Sequence, residues 1–286
     1  MHTRNDIENI PLCGEEDFTR FSWWKKYRDY GLVSGAWPFN GALTDASGHN
    51  HTLAWSSGSP TYATGVCQPG NTAIAFDGAA HASLSSNALF VPGLNPFSIT
   101  LIIKGNSQAG DYRWVADKMA ADGWVVQTKT AGSLDLQLKV TTSAGDSYSD
   151  IAGVLDGSWH LVTWMIVPAD AKIYRIKDGV LLGDNNLAVG SGLLNTAYLN
   201  LGASAVFHLD YFKYERRALP AAEYENAWNI VQGLANGSAY PEVGHALAQY
   251  WSFYRLAEYY FTSNDPAAWE ILENWLNWFN TYLVSP

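Results

Sequence analysis

Residues Gly35 to Thr52 read GAWPFNGALTDASGHNHT. Ala36-Trp37-Pro38-Phe39 has the form of a short opening strand, aromatic on one face. Pro38 lacks the N–H that a central ladder needs, so it confines this strand to a sheet edge or a strand end. Asn40-Gly41 is a turn dipeptide. Thr44 to Asn50 is a polar loop dense in oxygen ligands and turn formers. A distant stretch, Phe207 to Glu223, answers it with FHLDYFKYERRALPAAE. That is an alternating strand, a turn, then a helix start.

Between these ends, short alternating runs recur with turn signals between them. They are Thr72–Phe76, His81–Leu84, Phe97–Ile103, Trp114–Lys118, Gly123–Thr128, Leu134–Thr141, His160–Val167, Lys172–Lys177, Tyr198–Leu201 and Phe207–Tyr214. Asp178-Gly179 sits between two apolar strands and predicts a tight hairpin. Many short strands with no helix between them predict a two-sheet sandwich.

The order of the motifs resembles one family. The opening W-P-F-N-G with Asp45, Ser47 and Gly48, and the closing H-L-D-Y-F-K-Y-E-R-R-A-L, are similar to the two ends of a laminin-G-like, concanavalin-A-like β-sandwich. Ala75-Phe76-Asp77-Gly78 with His81-Ala82-Ser83-Leu84 resembles an inner strand pair of that family. Asn95 to Leu101 and Gly157 to Val162 resemble two further strands. The resemblance implies a mainly β jelly-roll sandwich. It also implies a structural calcium ion where the opening loop meets the last strand, with Asp45 and Asp210 as carboxylate ligands. Calcium takes six to eight oxygens, and backbone oxygens near Gly48 to Asn50 would complete the shell. The alternative is that Asp45 only forms an Asx turn and Asp210 only caps the sheet rim.

The flanks are of another kind. Residues 1–30 form an arm and a helix, EEDFTRFSWWKKYRDY, in which acids lead and bases follow as the helix dipole favours. Its aromatic residues, Trp24 among them, wrap more than one face. Residues 31–235 hold the sandwich and a trailing helix. Residues 236–286 hold a linker and a helical hairpin, with Asp265 as N-cap and Pro266 at the first helical position. Trp251, Trp269, Trp275 and Trp278 lie in this hairpin. A lone hairpin cannot bury so many rings, and exposed they would exceed the patch a soluble monomer tolerates. They are therefore expected at an interface, with the sandwich, with a second copy or with other subunits. The hairpin is similar to a helical hairpin of α/α-toroid proteins, and phage tail proteins carry similar stretches.

The chain has 286 residues, enough for one large domain and a smaller unit. Its formal net charge of −10 argues against nucleic acid as the main partner. No apolar run reaches the length of a membrane-spanning helix. Two cysteines, Cys13 and Cys67, make neither a disulfide scaffold nor a metal site, and whether they pair stays open. The N-terminus lacks the form of a secretory signal, which suggests a removed signal or release with a virus particle.

Paired carboxylates of a glucanase strand, a nucleophile elbow, a zinc-protease helix and a phosphate loop are not found. The expectation is a non-enzymatic structural or adhesion subunit, extracellular or on a phage-like virion, that binds a glycan or cell-surface ligand. The alternative is a carbohydrate-binding fragment of a secreted glycan-active enzyme. Sugars stack on aromatic faces, so Trp55, Tyr112, Trp114 and Trp124 are the candidate ligand residues, with Tyr148 nearby. Core burial is the competing role for those in strands.

Overall fold

A computed structural model of the chain describes residues 33–219, except positions 40, 46, 48, 60, 67–71, 191, 192, 194, 195 and 203, and also Tyr224. The N-terminal helix with Trp24, both cysteines, the trailing helix apart from Tyr224, and the hairpin with Trp251, Trp269, Trp275 and Trp278 lie outside the described residues.

The described strands are β1 (Val33–Trp37), β2 (Ala54–Ser57), β3 (Thr61–Thr64), β4 (Thr72–Asp77), β5 (His81–Leu84), β6 (Phe97–Asn106), β7 (Trp114–Met119) and β8 (Gly123–Thr128). They continue with β9 (Leu136–Thr142), β10 (Gly145–Ile151), β11 (Asp156–Val167), β12 (Lys172–Lys177), β13 (Val180–Asn186), β14 (Leu199–Gly202) and β15 (Val206–Glu215). One sheet has the order β13-β12-β11-β6-β15-β4-β3, with β1 also paired to β15; the other runs β10-β9-β8-β7-β14-β5-β2. Every pairing is antiparallel, so the predicted mainly β, two-sheet sandwich is the observed architecture.

Two partners share one flank of β15. β4 pairs with Val206 to Leu209, and β1 pairs with Phe212 to Glu215. The register against β6 shifts between Leu209 and Tyr211, which makes Asp210 the extra residue of a bulge. Leu209 faces the core before the bulge and Phe212 and Tyr214 face it afterwards.

The core closes on aromatic residues from both sheets. Trp37 stacks on Phe90 with centroids 6.1 Å apart and tilts against Phe212 at 5.7 Å. Phe90, Phe97 and Trp124 then surround the Tyr214 ring at 5.3, 5.5 and 6.2 Å. A second stack, Trp55–Phe76–Phe207, lies at 5.8 and 4.8 Å. Gly202 is required beside it: its φ is +98°, and a Cβ there would collide with the Phe76 ring.

The opening strand begins and ends earlier than the sequence predicts. Pro38 and Phe39 lie just past its end, where a missing N–H costs nothing, yet Phe39 is still buried. β2, β3 and β10 were not expected as strands. β10 carries the polar sequence GDSYSDI, and tertiary pairing overrides its weak propensity. Its inward serines are satisfied across the fold: Ala188 N–H donates to Ser147 Oγ (2.7 Å), and Ser149 Oγ donates to Asn185 Oδ1 (3.1 Å).

Candidate functional site

Strand alternation decides what the outer face of the seven-stranded sheet presents. Trp124, Val126, Leu136, Leu138 and Val140 point into the core. Gln127, Gln137 and Lys139 alternate with them and point out. Two register rows cross the sheet. One runs Asp150–Gln137–Gln127–Trp114, and the next runs Tyr148–Lys139–Val125–Asp117–Asn200–Ser83.

A groove of about 420 Å³ opens on this face, lined by Tyr112, Gln127, Gln137, Lys139 and Tyr148. Its walls are exposed rings, Tyr112 at 50% and Tyr148 at 47%. Its floor is the Gln127 and Gln137 amides, only 5% and 6% exposed although they face away from the core. Tyr112 adopts φ +50°, and its N–H donates to the Lys129 carbonyl at 3.0 Å, which fixes the loop that carries the ring. Trp114, 41% exposed and next to Gln127 in register, extends the aromatic surface beyond the groove.

The polar groups are tied together. Gln127 Nε2 donates to Gln137 Oε1 (3.0 Å), and Gln137 Nε2 donates to Asp150 Oδ1 (2.8 Å). Asp150 also pairs with Lys129 at 2.8 Å. Lys139 pairs with Asp146 at 2.9 Å and lies 5.8 Å from the Tyr148 ring centroid. Asp146 further accepts Thr141 Oγ1–H at 2.7 Å and the Tyr148 hydroxyl at 3.2 Å. The hydrogen bond that Lys139 donates to Asp146 holds its ammonium above its ordinary pKa. These ties pre-order the side chains and cut the entropy that a ligand would otherwise have to overcome.

Two other groups set a pH dependence. Burial pushes the Asp117 carboxyl up to about 6, against the hydrogen bond from Asn200 Nδ2 at 3.3 Å. In His160, burial disfavours the charge, but Asp178 at 2.7 Å and Asp156 at 3.1 Å outweigh it and hold the imidazole above its ordinary value. Both ring nitrogens face carboxylate oxygens, an arrangement that favours the doubly protonated ring. Both folded values are raised. The stabilisation from each group is therefore complete below its unfolded pKa and is lost as pH rises through the folded one. For Asp117 the effect is a penalty for burying the ionised carboxylate at high pH; Asp117→Asn removes it and should stabilise the protein at pH 8 by on the order of 2–3 kcal/mol, with little change at pH 4. Urea unfolding at both pH values checks this, and a variant less stable than wild type at pH 8 would refute it.

Asp45 and Asp210 do not fit a shared calcium centre. Asp45 Oδ1 accepts the Ala36 and Ser47 N–H groups (3.0 and 2.8 Å), and Oδ2 accepts the Ser47 hydroxyl and the His51 N–H (2.6 and 3.0 Å). Two hydrogen bonds on each oxygen use the acceptor capacity of a carboxylate. Asp45 thus pins the loop to β1. Asp210 sits buried at the bulge, where its Oδ2 accepts the Val66 N–H. It fills the gap where β15 passes from β4 to β1. Among the described residues, no three His, Cys, Asp or Glu side chains gather as metal ligands. Addition of chelator or calcium should leave the melting temperature unchanged, while Asp45→Ala should lower stability by about 2 kcal/mol in either condition. A melting temperature that rises with calcium would reinstate the metal.

The other predicted ligand residues divide. Tyr112 and Trp114 are exposed and adjoin the groove. Trp124 is buried and stacks on Tyr214, because it shares the inward parity of Val126; it is core, not a sugar platform. Trp55 is half-buried against Phe76. Gln127, Gln137 and Lys139 were missed. Their signal was present, as polar residues alternating with apolar ones along β8 and β9, but pairing them requires the register. On the same sheet, Ser57 Oγ lies 2.8 Å from His81 Nδ1. The Ser57 hydroxyl donates to the Ala79 carbonyl (2.8 Å), so the ring N–H must be the donor to Ser57. That polarity is the reverse of what a histidine base acting on a serine nucleophile needs.

No family model and no curated protein matches the chain. Among solved structures it is similar to the binding domain of Paraclostridial Mosquitocidal Protein 1, at 16% identity and a TM-score of 0.60, over 71% of this chain and 52% of that one. It is similar to the binding domain of botulinum neurotoxin DC, solved in complex with SialylT, at 13% identity and a TM-score of 0.57, over 70% and 51%. It is also similar to a structure of botulinum neurotoxin type C, whose cell entry is described as dependent on interaction with two ganglioside molecules, at 13% identity and 0.57, over 72% and 53%. The chain spans about half the length of these structures. At such identity the likeness establishes the fold alone, a two-sheet antiparallel β-sandwich shared with these toxin binding domains.

Proposed function

We propose that this chain is a non-catalytic binding module that holds a glycan of a cell surface in the groove between Tyr112 and Tyr148. The groove itself carries the reading. Exposed aromatic walls over a buried amide floor supply the two things a sugar needs, apolar faces for its C–H surfaces and fixed hydrogen-bond partners for its hydroxyls. The matched toxin structures support it, since two are binding domains, one of them solved in complex with SialylT, and the third is of a toxin whose cell entry is described as dependent on two ganglioside molecules. They bring no support for a phage-like particle. A module of this kind would work outside a cell, whether alone or joined to an enzyme. Self-association through the aromatic-rich terminal segments is a separate proposal, tested by light scattering.

Tyr112→Ala and Tyr148→Ala should each weaken binding to a glycan-bearing surface about threefold to tenfold, with unchanged melting temperatures. Tyr198, exposed and outside the lining of the groove, is the control. Titration on a glycan array measures the effect. Full binding by both groove variants, or an equal loss in Tyr198→Ala, would place the ligand elsewhere.

A further inference from the structure

The hydrogen-bond polarity of the groove floor is forced rather than chosen. An ionised carboxylate only accepts, so Asp150 must face the –NH₂ end of Gln137. The Gln137 oxygen then points to its other neighbour and must receive the –NH₂ of Gln127. The Gln127 amide oxygen is left as the acceptor that no member of this relay uses, and Gln127 lines the groove. A ligand seated there meets an uncharged acceptor that requires an O–H or N–H donor. A ligand carboxylate offers none.

The cations near the groove are already answered. Lys139 has Asp146 at 2.9 Å, and Lys129 has Asp150 at 2.8 Å. The four charges sum to zero. Asp146 takes one of the three Lys139 N–H donors, and a ligand carboxylate on another would have to lie close to the Asp146 and Asp150 carboxylates. Arg113, next in sequence to Tyr112, does not line the groove. Its guanidinium lies over Gly110, where an added Cβ would come within 2.6 Å of Nε.

We infer that the groove selects a neutral pyranose whose hydroxyl donates to Gln127 Oε1, and discriminates against sialylated and uronate sugars. This inference rests on the proposed reading of the groove as a glycan site. Asp150 is a positioning residue for it, acting through Gln137 and held by Lys129. An asparagine at position 150 can offer either an oxygen or an –NH₂ group to Gln137, so the relay loses its single direction.

The test uses the full chain and immobilised oligosaccharides in matched pairs, each neutral glycan beside its sialylated form, with a polyuronate as a third arm. The expected result is binding of the neutral member, with its sialylated partner and the polyuronate at least about tenfold weaker. Gln127→Leu should weaken neutral binding by up to about tenfold, the worth of one hydrogen bond to an uncharged group, in a chain that stays folded at the assay temperature although Gln137 Oε1 loses its donor. Asp150→Asn should narrow the gap between the members of each pair. Tighter binding of the acidic members overturns the inference and leaves the glycan reading standing. Neutral preference that survives Gln127→Leu at full strength also overturns it, because the selecting atom would then be another. Binding of no sugar at all removes the glycan reading and this inference together.

Discussion

Trp37→Ala is expected to destabilise the protein by about 3–5 kcal/mol, the cost of emptying a large aromatic site in a closed core. Trp37 is fully buried and lies between Phe90 and Phe212, so few neighbours can collapse into the space. Its indole N–H also donates to the His51 carbonyl at 2.8 Å, which the variant leaves without that donor. The loss should reach the loop as well as the core. Trp37 holds the loop at His51 from one side, and Asp45 holds the same residue through its N–H at 3.0 Å. The two anchors share a partner, so Trp37→Ala and Asp45→Ala should cost less together than the sum of their separate costs. Urea unfolding of both single variants and the double variant measures this. A Trp37→Ala loss below about 1.5 kcal/mol would mean the site repacks and that the aromatic stack is not the keystone of this end of the sandwich.

That residue was legible in the sequence because large aromatic side chains beside a proline and a turn have few homes. So were β5, β8 and β12, whose ends match the alternating runs read from the chain. Alternation works where one face is plainly apolar. It fails at β10, where the inward residues are serines whose partners come from elsewhere in the fold. It is also ambiguous within Trp124-Val125-Val126, three apolar residues in a row, so in the sequence Trp124 stands as a ligand candidate with core burial as its competing role. The groove was half legible. Exposed rings at Tyr112, Trp114 and Tyr148 stood out by composition, but the Gln127–Gln137–Asp150 relay exists only through strand register. Asp45 shows a further limit. An acidic residue in a polar loop suits a metal or an Asx turn equally, and only the count of hydrogen bonds on its two oxygens separates them.

Charges on and just past β15 give the other large effect. Lys213, Glu215 and Arg217 alternate in a pattern that suggests a solvated edge, yet the structure buries all three. Glu215 Oε2 pairs with Lys213 Nζ at 2.7 Å, and Oε1 accepts Arg217 Nε and Nη2 at 3.1 and 3.0 Å. Burial would raise the Glu215 carboxyl, but the two cations outweigh it and hold it below its ordinary value. The sign follows: the contribution is present above the unfolded carboxyl pKa and is lost as pH falls through the lower folded one. Glu215→Ala removes a carboxylate that pairs with two buried cations and should cost about 3–5 kcal/mol at pH 7. The ion pairs need not be a net gain over an apolar cluster, because each charge loses its water. Replacing Lys213, Glu215 and Arg217 together by Met, Leu and Met should therefore cost less than Glu215→Ala alone. A triple variant less stable than the single one would show that the cluster stabilises the outer face by more than its own internal pairing. A Glu215→Ala loss under about 1 kcal/mol would show that water or their other contacts answer the two cations once the carboxylate is gone.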